Sequence, residues 1–197
     1  MITINKKLFE SPLNLQKMTK LLAVTGMSSE SPEGLSVDEI NLTLDQETWI
    51  EQFSSTQGKE VKLEGRRQSG RSSTGLAMIL THALFESNKH SMIVTGNLNH
   101  SQGQKRRLLN YLQAFCERFS LPNLVKSNSV SEIELVTGSK IYFLEKQFWS
   151  KNSFRGFNLE NVFIDCWNVH SMDDLDEEIL CCIMPCVQNK LIVSLGA

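Results

Sequence analysis

Residues 65–73 read GRRQSGRSS, set between VKLE (61–64) and the apolar-periodic run GLAMILTHALF (75–85). Gly65 and Gly70 bracket four residues, and Arg71 and Ser72 follow. This is the spacing G-x-x-x-x-G-K-[ST] with arginine at the lysine position. Glycines so placed let the backbone turn tightly between a strand and a helix, where successive N–H groups converge on phosphate oxygens. A serine at the helix start then supplies a hydroxyl to Mg2+. Arg71 keeps the positive charge, but its planar fork is bulkier and less mobile than a lysine ammonium, so the exchange is not conservative between two phosphates. Arg66, Arg67 and Arg71 together make the loop an anion trap. The same residues also fit a solvated basic loop with incidental glycines.

The 197-residue chain is 41% apolar, which suits one domain with a core of ordinary size. Its net charge of −2, from 20 basic and 22 acidic residues, leaves no global nucleic-acid footprint, so contact with DNA or RNA requires a local patch. Five cysteines (Cys116, Cys166, Cys181, Cys182 and Cys186) and no signal-like start point to reduced thiols in a soluble intracellular chain. No apolar run approaches the roughly 18 residues of a membrane span.

Residues 1–40 read as an N-terminal extension, with one short helix between Leu13 and Leu22 and a polar linker, MSSESPEGLSVDE (27–39). The domain is expected over 41–197. In LTLDQETWIEQF (42–53), Leu44, Trp49, Ile50 and Phe53 fall near a helical stripe. VKLE is a short strand entering the glycine loop. Residues 72–85 follow as a helix with Leu76, Ile79, Leu80 and Ala83 on one face and His82 on its surface. SMIVTGN (91–97) is a buried strand. Residues 102–119 form a helix striped by Leu108, Leu109, Leu112, Phe115 and Phe119. SEIELVTGSKIYFLEK (131–146) reads as a hairpin turning at Thr137-Gly138-Ser139. NVFID (161–165) is an apolar run ending in an acid, DDLDEEILCCIMP (173–185) a helix stopped by Pro185, and KLIVSL (190–195) a last strand. Strands that are apolar throughout, alternating with helices, predict an α/β fold with a mainly parallel sheet covered on both faces.

A phosphate loop needs a second oxygen for Mg2+, usually an aspartate at the C-terminal end of a neighbouring parallel strand. Asp165 fits that place. Hydrolysis also needs a carboxylate to polarise water, often the residue right after this aspartate. Here it is Cys166, followed by Trp167. The strand SMIVTGN offers no glutamate either, ending in Asn97. Asp173, Asp174, Asp176, Glu177 and Glu178 look like a charged helix N-terminus. A missing base costs about 10²–10⁴-fold in rate, so the site reads as built to bind and poorly equipped to cut.

With these segments in order, residues 42–197 resemble the ATPase domain of the large terminase subunit, the motor that packs DNA into tailed-phage capsids. LTLDQETWI resembles the family's adenine-side segment, with Gln46 at the glutamine position. RRQSGRSS resembles its R-x-x-G-K-[ST] loop, with Arg67 at the γ-phosphate-sensing arginine. TGSKIYF followed by SFRGFNLENVFID resembles the family's run from hairpin to Walker B strand, with Arg155-Gly156 before it. KLIVSLGA resembles the strand leading to the coupling motif, at Ser194. Arg71 for lysine and Cys166 for glutamate are the departures.

The resemblance implies a P-loop NTPase fold of the RecA-like (ASCE) type with an inserted hairpin, and ATP and Mg2+ as cofactors. It puts Gly65, Arg66, Gln68, Ser69, Gly70, Ser72 and Ser73 around the nucleotide, with Gln46 at the base. Arg67 and Arg71 would meet the phosphates, Ser72 and Asp165 the Mg2+, with Cys166 at the place of the glutamate and Ser194 at the coupling step. Duplex DNA, a portal and a small terminase subunit are the implied partners, in a homo- or hetero-oligomer with no membrane role. The cytoplasm of an infected host cell is the implied location. The family continues with the rest of the ATPase domain and a metal-dependent nuclease domain, so this chain is expected to be a fragment, a split gene product or a reduced relative. Two rival expectations are a non-catalytic structural or regulatory subunit that keeps the fold, and an ATPase that receives its base from another subunit.

Other clusters point less sharply. Gln104-Lys105-Arg106-Arg107 opens a helix as a cationic cluster, which more often is a solvated face than a DNA contact. Phe148 and Trp149 fit core or interface packing better than base stacking. Cys166, His170, Cys181, Cys182 and Cys186 lack the C-x₂-C spacing of a zinc site, and the cysteines read as buried thiols.

Overall fold

The computed structural model describes residues 19, 42–55, 58–66, 68–118, 120–145, 156–166, 169, 171–172, 175, 180–181 and 183–196. The expected helix at 13–22 (Thr19 apart) and the polar linker lie outside these residues. So do Arg67, Phe148, Trp149, Arg155, Trp167, His170, the acids at 173–178, and Cys182.

The described elements are α1 (Leu44–Ser54), β1 (Glu60–Glu64), α2 (Arg71–Phe85), β2 (His90–Thr95), α3 (Leu98–Arg118), β3 (Val125–Asn128), β4 (Glu132–Leu135), β5 (Lys140–Glu145) and β6 (Leu159–Asp165). A short 3-10 turn (Met184–Cys186) leads into β7 (Val187–Leu195). The strands form a seven-stranded sheet in the order β1-β7-β6-β2-β5-β4-β3. Pairing is parallel from β1 through β5, and β4 and β3 extend the sheet as antiparallel strands. The expected α/β fold with an inserted hairpin is therefore present. The hairpin turns where Gly138 takes φ +81, a left-handed conformation that a side chain disfavours.

One feature of the order departs from the sequence expectation. Asp165 does not close the strand next to the loop strand, because β7 pairs with both β1 and β6 and separates them. The last strand in sequence is thus inserted at the centre of the site.

Side chains alternate across the sheet with period two. Val61, Leu63, Ile93, Phe163 and Ile192 join the core beneath α1, α2 and α3. Met92, Val94, Val162, Ile164, Leu191 and Val193 join a second core on the other face, with Cys166, Val169, Leu175 and Ile183. The central strands β7, β6 and β2 are covered on both faces, whereas β1 alternates and leaves Glu60, Lys62 and Glu64 exposed and β3 is mostly exposed, so the expected cover on both faces holds only at the centre of the sheet.

Helix boundaries follow local chemistry. Thr43 and Gln46 form a reciprocal capping box that starts α1. Its stripe is Gln46, Trp49, Ile50 and Phe53, with Leu44 left exposed rather than on the stripe. Helix α3 starts at Leu98, earlier than its apolar stripe suggests, and the Asn97 side chain accepts from the His100 N–H at 2.9 Å. In α3 the buried face is Leu108, Tyr111, Leu112 and Phe115, with Leu109 only half-buried. His82 is buried, 6% exposed, rather than on the helix surface. Its ring sits edge-on to Phe53 and near Asn189 at the base of β7, so tertiary neighbours enclose a polar helical position. From the N-terminal extension, buried Thr19 donates to the Thr81 hydroxyl on α2 at 3.1 Å.

Candidate functional site

The site is built at the C-terminal ends of the parallel strands. Register pairs Leu63 with Ser194, Ser194 with Asp165, Asp165 with Thr95, and Thr95 with Glu145. Partners in adjacent parallel strands share a face. Asp165 follows Phe163 by two residues, and Ser194 follows Ile192, so both carry on the face covered by α1, α2 and α3. Asp165 is 5% exposed there.

Between β1 and α2 the loop is shaped by its neighbours. A Cβ on Gly65 would meet the Ser69 hydroxyl oxygen at 2.9 Å, with the Trp49 ring at 3.6 Å, so only glycine allows Ser69 to fold back. Gln68 (φ +68) and Gly70 (φ +84) are both left-handed. Ser69 N–H donates to Arg66 O at 3.1 Å, closing the turn. Gly70 starts α2 without a side-chain cap, and no acid lies in the first turn. The positive end of the helix is therefore left without a protein counter-charge of its own.

Gln46 braces this loop. Its amide Nε2 donates to Ser69 O at 3.2 Å while its Oε1 accepts from Thr43 N–H. The glutamine expected at the base is 2% exposed and ties α1 to the loop backbone. Two polar side-chain atoms of the loop are buried with no hydrogen-bond partner among the described residues: Ser69 Oγ and Arg71 Nη1. Arg66 and Gln68 are exposed, and Ser72 and Ser73 are half-buried at the start of α2.

Asp165 is held from the opposite side by α3. Gln104 Nε2 donates to Asp165 Oδ2 at 2.5 Å, and His100 Nε2 lies 3.4 Å from the same oxygen. His100 Nε2 and Gln104 Nε2 are 2.9 Å apart. Neither residue stands out as a candidate from the sequence. The available signal is that Gln104 extends the buried stripe of α3 one turn before Leu108, a polar residue on an apolar line.

Cys166 does not share the site. It is 1% exposed, belongs to the second core, and its Sγ is 4.0 Å from Val94 O on the far face of the sheet. The thiol at the place of the glutamate is therefore packed away from Asp165 by the period-two alternation of β6.

The cationic run at the start of α3 divides. Lys105 is buried, with its ammonium bound to the carbonyl of Ser129 and stacked 5.8 Å from the Phe143 ring centroid, and burial pushes its pKa down. Gln104 is turned to Asp165. Arg106 and Arg107 alone reach solvent. The cysteines divide too: Cys116 and Cys166 are buried, Cys181 is exposed and Cys186 half-buried.

Among the described residues, the set of potential metal ligands within mutual reach is His82, Glu86 and Glu160, with no cysteine. There Lys89 Nζ lies 2.7 Å from Glu160 and 3.1 Å from Glu86, so an ammonium already holds a cation's place. Hydrogen bonding to His82, and next to Lys89, holds the Glu86 carboxyl down at about 2 against the upward pull of burial. A cavity of about 550 Å³ lies outside β1 and α1, lined by Asp45, Glu60 and Glu64 with Lys62. Three acids against one lysine make it a poor phosphate site.

For Mg2+ the donor set fits: a carboxylate (Asp165) and a hydroxyl (Ser72) are hard oxygens of the type this ion takes. For a phosphate, the orphaned Arg71 Nη1 and the uncapped start of α2 fit equally.

No family model and no curated relative matches the sequence. Solved structures do. The chain is similar to the HK97 bacteriophage large terminase, at a TM-score of 0.62 and 12% identity over 90% of this chain and 37% of that one. It is similar to the ATPase domain of a Thermus phage large terminase, at 0.55 and 16% identity over 80% of this chain and 66% of that one. The large terminase of a thermophilic bacteriophage aligns at 0.50 and 14% identity over 79% of this chain and 39% of that one. The chain thus has the fold of a phage large terminase ATPase domain, and its match spans 37% of the HK97 terminase chain. Among the described residues no helix is long and apolar enough to cross a membrane.

Proposed function

We propose that this chain is the nucleotide-binding domain of a DNA-packaging terminase large subunit, taking ATP with Mg2+ in the loop at 65–73. The observation that carries it is Arg71 Nη1, a buried guanidinium nitrogen with no hydrogen-bond partner among the described residues, at the uncapped start of α2. A buried unpaired donor is costly unless a ligand satisfies it, and a phosphate oxygen at a helix N-terminus does so.

The roles follow from position. Arg71 answers the phosphate charge, and the family resemblance would add Arg67 to it. Left-handed Gln68 and Gly70 turn the loop, Gly65 lets Ser69 close, and Gln46 holds it from α1. Ser72 and Asp165 would hold Mg2+, which when bound neutralises charge on the β- and γ-phosphates. Ser194, on the strand between the loop strand and Asp165, is suited to relay a change at either side to the other. Arg106 and Arg107 offer a small outward basic patch for duplex DNA.

The reading favours binding over turnover: Cys166 faces the other core, and among the described residues no carboxylate follows Asp165 into the site. Hydrolysis by the isolated chain is expected to be slow or absent. Coupling to DNA, and assembly with a portal or a small terminase subunit in the host cytoplasm, extend the same proposal.

A thermal-shift titration tests it. Binding to the folded state alone stabilises by about 2.7 kcal/mol at a hundredfold excess over Kd, so Mg2+-ATP should raise the melting temperature by several degrees. No shift at millimolar Mg2+-ATP, with an intact fold, would favour a structural or regulatory subunit that retains only the fold.

A further inference from the structure

We propose that Gln104 is a positioning residue for the divalent cation that accompanies the nucleotide; this rests on the nucleotide-binding function proposed above. Gln104 is 2% exposed and sits in the second turn of α3, the helix that Asn97 caps beside the end of β2. Its amide nitrogen faces both the Asp165 carboxylate and the His100 ring. Charge fixes this orientation, since the amide carbonyl turned toward the carboxylate would set two acceptors against each other. With one amide hydrogen on Asp165 and the other on His100 Nε2, both donors are used. The carbonyl oxygen, Oε1, is buried and has no hydrogen-bond partner among the described residues.

A buried acceptor left unpaired is costly. This one lies on the same side chain that grips the acid meant for a cation. It supplies a neutral hard oxygen of the type Mg2+ accepts beside a carboxylate. Gln104 therefore does two things: it locks the Asp165 carboxylate through Oδ2, leaving its other oxygen to the ion, and it sets its own carbonyl next to it. His100 steadies the amide from one turn earlier. Partners of this kind change metal affinity by about 10–100-fold when removed.

The experiment measures ATP affinity of the full chain by calorimetry, once in Mg2+ and once in excess EDTA. Wild type is compared with Gln104→Met, which keeps the volume, and Gln104→Ala; melting curves establish which variant is folded. The expected result is a loss of about tenfold or more in Mg2+, with the affinity in EDTA unchanged. Equal losses in both media would make Gln104 merely structural and overturn the proposal. No loss in either medium would overturn it as well. If wild type binds no ATP in either medium, the nucleotide-binding function falls and this inference with it. If wild type binds with a Mg2+ dependence that the variants keep, this inference alone falls.

Discussion

Gly75 on α2 lies directly against the ring of Phe163 on β6, with no room for a Cβ between them. This contact sets the helix that begins at the glycine loop against the strand that ends in Asp165. Alanine in a helix interior is otherwise favoured over glycine by about 1 kcal/mol, whereas overpacking a tight core costs about 1–3 kcal/mol. Here the clash is with a buried ring, so Gly75→Ala should be destabilising and Gly75→Val more so. Urea melts of both variants check this; stabilisation by Gly75→Ala would mean that helix and strand are farther apart.

Gln46→Ala removes both the reciprocal half of the α1 capping box and the brace on Ser69 O. Lost caps cost about 0.5–2 kcal/mol, so a loss of that size is expected in the same urea melts. ATP affinity should fall as well, since the loop loses its tether. Gln46→Glu keeps the acceptor for Thr43 but loses the donor to Ser69, and should spare stability more than affinity.

Placing a carboxylate right after Asp165 by Cys166→Glu should create no catalytic base. The side chain at 166 is packed in the apolar second core, opposite Asp165. An unpaired charge buried there costs about 3–5 kcal/mol, or the carboxyl stays protonated and is no base. A destabilised variant without gain in phosphate release is expected. A rise in turnover with an unchanged melting curve would show that the strand end can reorient.

The Glu86 carboxyl, held at about 2 instead of its ordinary 4.5, makes stability depend on acid. A lowered folded-state value means the stabilisation is complete above about 4.5 and disappears as pH falls toward 2. Glu86→Gln should flatten that limb of a stability profile between pH 5 and 2. Glu86 is partly exposed, so raised salt should shrink the difference.

Much of the frame around the candidate site is legible in the chain. The strand, glycine loop and amphipathic helix could be read from spacing, and the apolar runs announced the central strands buried on both faces. The position of β7 between β1 and β6 could not, because strand order is set by long-range packing and leaves no local mark. His82 looked like a surface residue because its helix gives no hint of Phe53 and Asn189 closing over it. The early start of α3 had a signal in Asn97, masked by an apolar stripe that begins only at Leu108. β3 carries no signal in the sequence, since its residues are mostly exposed and show no alternation. Cys166 can be read as standing where the family's glutamate would be, but its burial on the opposite face follows only once Asp165 is fixed on the first.

The most direct test of the account is calorimetric titration of Mg2+-ATP into the wild-type chain beside Arg71→Glu. The account predicts saturable binding by wild type and its loss in the variant, whose carboxylate would face the phosphates, with both chains folded. Equal binding by both would place the nucleotide elsewhere, and no heat from a folded wild type would mean that the loop no longer holds one.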